Sequence, residues 1–160
     1  VQEFSHIKGL GNARAARILA AMELGRRIAC ASAVESAHIT SPCDGAQYLM
    51  GRLRNETHEK FVVLLLNTKN RVIKTEQIAE GSLTSAIVHP REVFAPAVVA
   101  HAACILVAHN HPSGDPHPSA EDRNLTHALE EAGNILGIPL LDHLVIGDGC
   151  YYSFKEHGDL

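Results

Sequence analysis

Tryptophan is absent from this sequence, and phenylalanine and tyrosine together supply only 4% of its 160 residues. A core with so few rings has to be filled by Ala, Val, Ile and Leu, and a hydrophobic fraction of 46% provides enough of them for a globular fold. Basic charge is scarce as well: the formal net charge is −4, which excludes a nucleic-acid surface spread over the whole protein. The deficit is uneven. Residues 1–30 hold Lys8, Arg14, Arg17, Arg26 and Arg27 against Glu3 and Glu23, a net +3 that leaves −7 for the remainder. Only this first segment is electrostatically suited to phosphate.

The four cysteines (Cys30, Cys43, Cys104 and Cys150) are scattered, with no Cys-x-x-Cys pair. A chain that can bury a core of this size does not need a disulfide frame, so reduced thiols and a cytoplasmic location are expected. No basic-then-apolar leader opens the sequence. The longest apolar stretch, residues 93–108, is broken by Pro96 and His101 and is too short to cross a bilayer, so no membrane partner is expected. The first residue is Val1 rather than methionine, as expected of a piece of a longer protein. There is no internal repeat and no low-complexity tract, and the length suits one domain with a small appendage.

What is present is concentrated in one stretch. The apolar run Cys104-Ile105-Leu106-Val107-Ala108 reads as a buried strand and leads straight into His109-Asn110-His111-Pro112. Residues two apart on a strand point to the same side, so both imidazoles project together. Gly114, with Pro112, Pro116 and Pro118, turns the chain back, and Ser119-Ala120-Glu121-Asp122 opens a helical pattern with Asp122 in its first turn. Two histidines and one carboxylate make a three-ligand set that leaves a position open to water. That is the layout of a catalytic zinc site, whereas structural sites are closed by four protein ligands. Ser119 with an acid three residues on is also a capping box, which would start a helix with no metal at all. One serine and one aspartate can serve both roles.

Strands and helices alternate around this stretch. Ser41 as N-cap, followed by Pro42 and Asp44, predicts a helix from 42 to about 54. Residues 59–67 predict a buried strand, Thr68-Lys69-Asn70 a turn, and residues 71–74 its hairpin partner. A strand is expected over 81–88, a helix from Pro90 to about Ala102, and another from Ser119 to about Leu136. Residues 139–146 and 151–154 supply the last strands. The fold class is α/β, a mixed β-sheet flanked by helices, with a small helical element at the N-terminal end.

The complete pattern, His-x-His, ten intervening residues and then Asp, with Ser three before it, resembles the JAMM (MPN-plus) metallopeptidase signature. The longer run His109-Asn110-His111-Pro112-Ser113-Gly114-Asp115 narrows the resemblance to the bacterial RadC family, over residues from about 41 to 154. The resemblance implies the cytidine-deaminase-like architecture of MPN domains and one zinc ion per chain on His109, His111 and Asp122. It implies metal-assisted hydrolysis of an amide or isopeptide bond in a peptide or protein. It also implies a general base on a strand beside the metal strand, a position that Glu59 matches; Glu56, three residues earlier, fits the preceding helix or loop better. Ser119 resembles the family serine that donates a hydrogen bond to the developing oxyanion. Asp115 and His117 share the metal loop, and the family pattern does not count His117 as a ligand. His89-Pro90-Arg91-Glu92 and Asp142-His143 also recur in the RadC pattern, where they are expected to be hydrogen-bonding features at strand ends rather than catalytic groups.

At the other end, Phe4-Ser5-His6-Ile7-Lys8-Gly9-Leu10-Gly11-Asn12-Ala13-Arg14-Ala15-Ala16-Arg17-Ile18 resembles a helix-hairpin-helix motif with its first helix cut short. Gly9 and Gly11 permit a tight turn whose N–H groups stand at a helix start, which suits a phosphate oxygen, and Lys8 and Arg14 add charge. These four are the candidate DNA contacts. The alternative is a two-helix packing element whose glycines serve only the turn. The expected organisation is a hairpin segment over 1–30, a linker over 31–40 and the MPN/JAMM metal domain over 41–160. Two function classes follow: a zinc metallopeptidase, and a DNA-binding accessory protein in repair or recombination. Both can hold together, the hairpin recruiting and the metal domain cutting. A deaminase or nuclease on the same ligands ranks last, because deaminases of related fold use cysteine-bearing zinc sets and no Pro-Cys-x-x-Cys follows here.

Overall fold

The computed structural model describes residues 11–34, 37–81 and 88–160 of the chain, which divides into two compact units, residues 1–35 and 36–160. In the first unit, helix α1 (Asn12–Val34) begins directly after Gly11, whose carbonyl accepts from the N–H groups of Arg14 and Ala15 at 2.9 and 3.1 Å. The helix continues into the stretch expected as linker. Ala29, Ala31 and Ala33 are strong helix formers that leave no amphipathic period to read. No helix among the described residues is long and apolar enough to cross a membrane.

The second unit is built on strands β1 (Lys60–Leu66), β2 (Val72–Glu80), β3 (Cys104–Asn110), β4 (Leu140–Ile146) and β5 (Tyr151–Ser153). They form one sheet in the order β2-β1-β3-β4-β5. β1 runs antiparallel to both β2 and β3, β3 is parallel to β4, and β4 is antiparallel to β5. The sheet is therefore mixed, as the alternation of elements predicts. Helices α2 (Pro42–Leu53), α3 (Pro90–Val99) and α4 (Ala120–Leu136) cover it, and a last turn of helix, α5 (Phe154–His157), follows β5. Phe61, Val63, Leu65, Ile105 and Val107 pack on one face against Val93, Phe94, Leu125 and Leu129 of α3 and α4. Val62, Leu64, Leu106 and Ala108 pack on the other against Ala46, Leu49 and Leu53 of α2. Strands buried on both faces read as continuous apolar runs rather than alternating ones.

Helix starts follow the local signals. Ser41 with Asp44, and Ser119 with Asp122, each complete a capping box, and His89 Nδ1 accepts from the Arg91 N–H at 3.1 Å. In the second unit two elements differ from expectation. β2 extends to Glu80, well past residue 74, because Thr75-Glu76-Gln77 on an edge strand need no apolar signal to pair. Most of the strand expected over 81–88 falls on residues outside the described ones. α5 was not expected after β5; it is capped by Ser153 and stopped by Gly158 with φ 75°.

The metal loop leaves the carboxyl end of β3, crosses to the start of α4 and is held from the far side by the β4–β5 turn. Gly114 adopts φ +84°, and a Cβ on Gly147 would stand 2.3 Å from the Gly114 carbonyl oxygen. Only glycine at 147 permits that approach, which the Asp148 N–H secures with a 3.0 Å hydrogen bond to Gly114 O. Ligand sites at the carboxyl ends of strands are the rule in open α/β sheets.

Candidate metal centre

His109 lies at the end of β3, His111 just beyond it, and Asp122 is the third residue of α4. Their ligand atoms lie within 4.8 Å of one another, and among the described residues they are the group of His, Cys, Asp and Glu able to hold a metal ion. His109 Nε2 is 3.1 Å from His111 Nε2 and 3.2 Å from Asp122 Oδ1. His111 Nε2 is 3.6 Å from Asp122 Oδ2. Zinc bonded tetrahedrally at about 2.0–2.1 Å would set its ligand atoms about 3.4 Å apart, so the three donors fit such an ion. The His109 and Asp122 side chains are nearly enclosed while His111 is 16% exposed. Of the three, His111 is the one with a face to solvent.

The capping box shares a residue with the group that could hold a metal. Asp122 Oδ2 accepts from the Ser119 N–H and the Ser119 hydroxyl, both at 2.7 Å, while Ser119 Oγ accepts from the Asp122 N–H at 3.1 Å. Burial alone would raise the Asp122 pKa, but hydrogen bonds from His109, His111 and Ser119 override it and hold the carboxyl well below the usual carboxylate range. The positive end of α4 acts in the same direction. His111 is shifted upward, first by its hydrogen bond with Asp122; burial opposes, and the Asp115 carbonyl and the charges of Asp122 and Glu59 add to the rise.

Each ligand imidazole is also held at its other nitrogen. His111 Nδ1 is 2.8 Å from the Asp115 carbonyl oxygen. His109 Nδ1 is 2.9 Å from His143 Nε2, and His143 Nδ1 is 2.6 Å from Thr126 Oγ1. His143 is wholly buried, its ring stacked on Phe154 and edge-on to Phe61. Burial, with the neighbouring His109, pushes its pKa well below the ordinary value. Asp142-His143 is a hydrogen-bonding feature as expected, but it lies within β4 rather than at a strand end, and its two side chains serve different networks. The Asp142 carboxylate accepts from Ser153 Oγ at 2.6 Å and from the Lys155 N–H at 3.0 Å, whereas His143 turns into the metal centre.

Glu59 immediately precedes β1. Continuing the antiparallel register in which Phe61 faces His109 sets Glu59 opposite His111, and its negative charge contributes to the raised pKa there. Glu56, the other acid nearby, is held by Lys60 Nζ at 2.7 Å. Asn110, between the two histidines, reaches across the sheet: its Oδ1 accepts from the Lys60 N–H at 2.9 Å and its Nδ2 donates to the His58 carbonyl at 3.1 Å. The backbone is thereby clamped on both sides of Glu59. His117 is turned away and paired with Asp115 at 2.6 Å. Thr126 carries no motif signal, and the motifs that contain Asn110 and His143 do not reveal these contacts, which depend on neighbours far away in sequence. Of the candidate DNA contacts, Lys8 and Gly9 lie outside the described residues, and Gly11 and Arg14 are exposed at the start of α1.

The model of the RadC-like JAB domain family matches residues 39–159, most of the chain. Curated relatives match almost its full length. A UPF0758 protein of Alkaliphilus oremlandii is 51% identical over 157 residues, covering 98% of this chain and 68% of the relative. One of Clostridium acetobutylicum is 50% identical over 157 residues, covering 98% and 69%. One of Bacillus velezensis is 55% identical over 159 residues, covering 99% and 69%. That designation names neither a substrate nor a reaction.

Proposed function

The chain belongs to the RadC-like JAB domain family, and from that premise we propose that it is a zinc-dependent hydrolase cutting an amide bond in a peptide or protein. The observation that carries this reading is the convergence of His109, His111 and Asp122 on one point, with the charge of Glu59 acting on His111. His109 Nε2, His111 Nε2 and an Asp122 carboxylate oxygen would hold the ion. Bound zinc supplies a Lewis acid that brings the pKa of water toward about 7. The Glu59 carboxylate accepts a proton from the attacking water and delivers it to the leaving amine nitrogen as the C–N bond breaks. Ser119, at the rim, moves its hydroxyl hydrogen bond from Asp122 Oδ2 to the substrate oxygen on which negative charge develops.

Hydrolysis of a quenched-fluorescence peptide library by zinc-loaded protein tests the reading. Cleavage that a chelator abolishes and added zinc restores is expected; a library left intact by fully loaded protein would oppose a peptidase. Zinc affinity should depend on pH with a definite sign. Zinc takes the neutral imidazole, and the Asp122 hydrogen bond keeps His111 protonated above its ordinary value of 6.5. Chelator competition should show binding tightening as pH rises through and beyond 6.5, with release of a proton. Equal affinities at about pH 6 and pH 8 would contradict this coupling.

A further inference from the structure

The hydrolase reading leaves His143 without a role, although it is wholly buried and both of its ring nitrogens are engaged. We propose that His143 is a positioning residue which, braced by Thr126, holds the proton of His109 on Nδ1 and so presents the Nε2 lone pair of His109 to the ion. This rests on the metal-centre reading above.

Thr126 Oγ1 lies 2.6 Å from the Asp122 carbonyl oxygen. Two oxygens that close need a hydrogen between them, and a carbonyl has none, so the threonine places its single hydroxyl hydrogen there. Thr126 Oγ1 is also 2.6 Å from His143 Nδ1, and with the hydroxyl hydrogen committed, Nδ1 must be the donor. The ring lies between Phe61 and Phe154, and neither of its hydrogen-bond partners is an acid, so a second ring proton would be a buried charge without compensation. His143 Nε2 is then an acceptor only. The hydrogen on the 2.9 Å contact with His109 Nδ1 comes from His109. With Nδ1–H fixed by His143, the proton that His109 Nε2 shares with Asp122 Oδ1 is the one an ion displaces, and its loss leaves a lone pair on Nε2 aimed at the point shared with His111 and Asp122.

His111 reaches the same state by a simpler route, because the Asp115 carbonyl facing its Nδ1 can only accept. The His109 relay ends instead on the backbone carbonyl of Asp122, the third ligand. The segment that contributes the carboxylate thus also fixes the tautomer of the first imidazole, tying the orientation of two ligands to one helix turn. Outer partners of this kind orient metal-binding histidines and raise their basicity.

Protein labelled with 15N at histidine tests the proposal. Long-range proton–nitrogen correlation is expected to show His143 as the Nδ1–H tautomer, with and without zinc. Thr126→Ser should keep that signature and the parental zinc affinity. Thr126→Val preserves shape but removes the acceptor oxygen; it should shift the His143 hydrogen toward Nε2 and weaken zinc about 10- to 100-fold in chelator competition. His143 carrying its hydrogen on Nε2 in the parent would overturn the proposal, as would a folded Thr126→Val that holds zinc as tightly as the parent. A parent with the Nδ1–H signature that takes up no zinc would defeat the metal-centre reading alone, leaving the relay established.

Discussion

Glu59→Gln is expected to lower amide hydrolysis by about 10²–10⁴-fold while leaving zinc bound. Glutamine keeps the shape and hydrogen-bonding reach of the side chain but cannot take up and return a proton. The substitution should not displace the segment, because position 59 is fixed by its backbone: Asn110 clamps His58 and Lys60 on either side, and the Glu59 carbonyl accepts from the Gly81 N–H at 2.8 Å. Glu59 is also absent from the group that can hold the ion, so zinc content should match the parent. A Gln variant that turns over substrate at the parental rate would remove Glu59 from the mechanism. One that has lost its zinc would show the carboxylate to be a ligand instead.

Asp122→Ala is expected to abolish zinc binding and to lower stability, and a comparison with Ser119→Ala separates the two effects. Asp122 is the acidic half of the α4 capping box and, in the proposed centre, also a ligand. Ser119→Ala removes the hydroxyl that caps the Asp122 N–H and hydrogen-bonds its carboxylate, but leaves the carboxylate within reach of both imidazoles. It should cost about 1 kcal/mol of stability, typical of a lost N-cap, with zinc still bound. Asp122→Ala leaves two imidazoles, too few for a firm site, so zinc should be missing from protein passed through gel filtration. If both variants kept zinc and differed only in melting temperature, Asp122 would be a cap and nothing more.

The sequence was most legible where structure is decided locally. β1 and β3 are buried on both faces and so appear as unbroken apolar runs; Ser41 and Ser119 announce their helices by chemistry contained within four residues. The convergence of His109, His111 and Asp122 is legible because two share a strand end and the third starts the next helix. Glu59 is marked in the sequence only by family resemblance, since its relation to His111 depends on strand register, which no spacing along the chain reveals. The partners of His143 are hidden in the sequence for a related reason. His143 reaches His109 across the parallel β3–β4 pair, at a separation of 34 residues, and its own strand gives no sign that a histidine there points inward. The length of β2 was hidden by polar residues that an edge strand tolerates, and the reach of α1 by alanines that propagate a helix without patterning it.

The central claim, that His109, His111 and Asp122 form a metal centre, is tested most directly by counting zinc. Elemental analysis of the purified parent should find about one zinc per chain, and of His109→Ala essentially none. A parent that remains free of zinc after exposure to the ion at neutral pH would contradict the account and reduce Ser119 and Asp122 to the start of a helix.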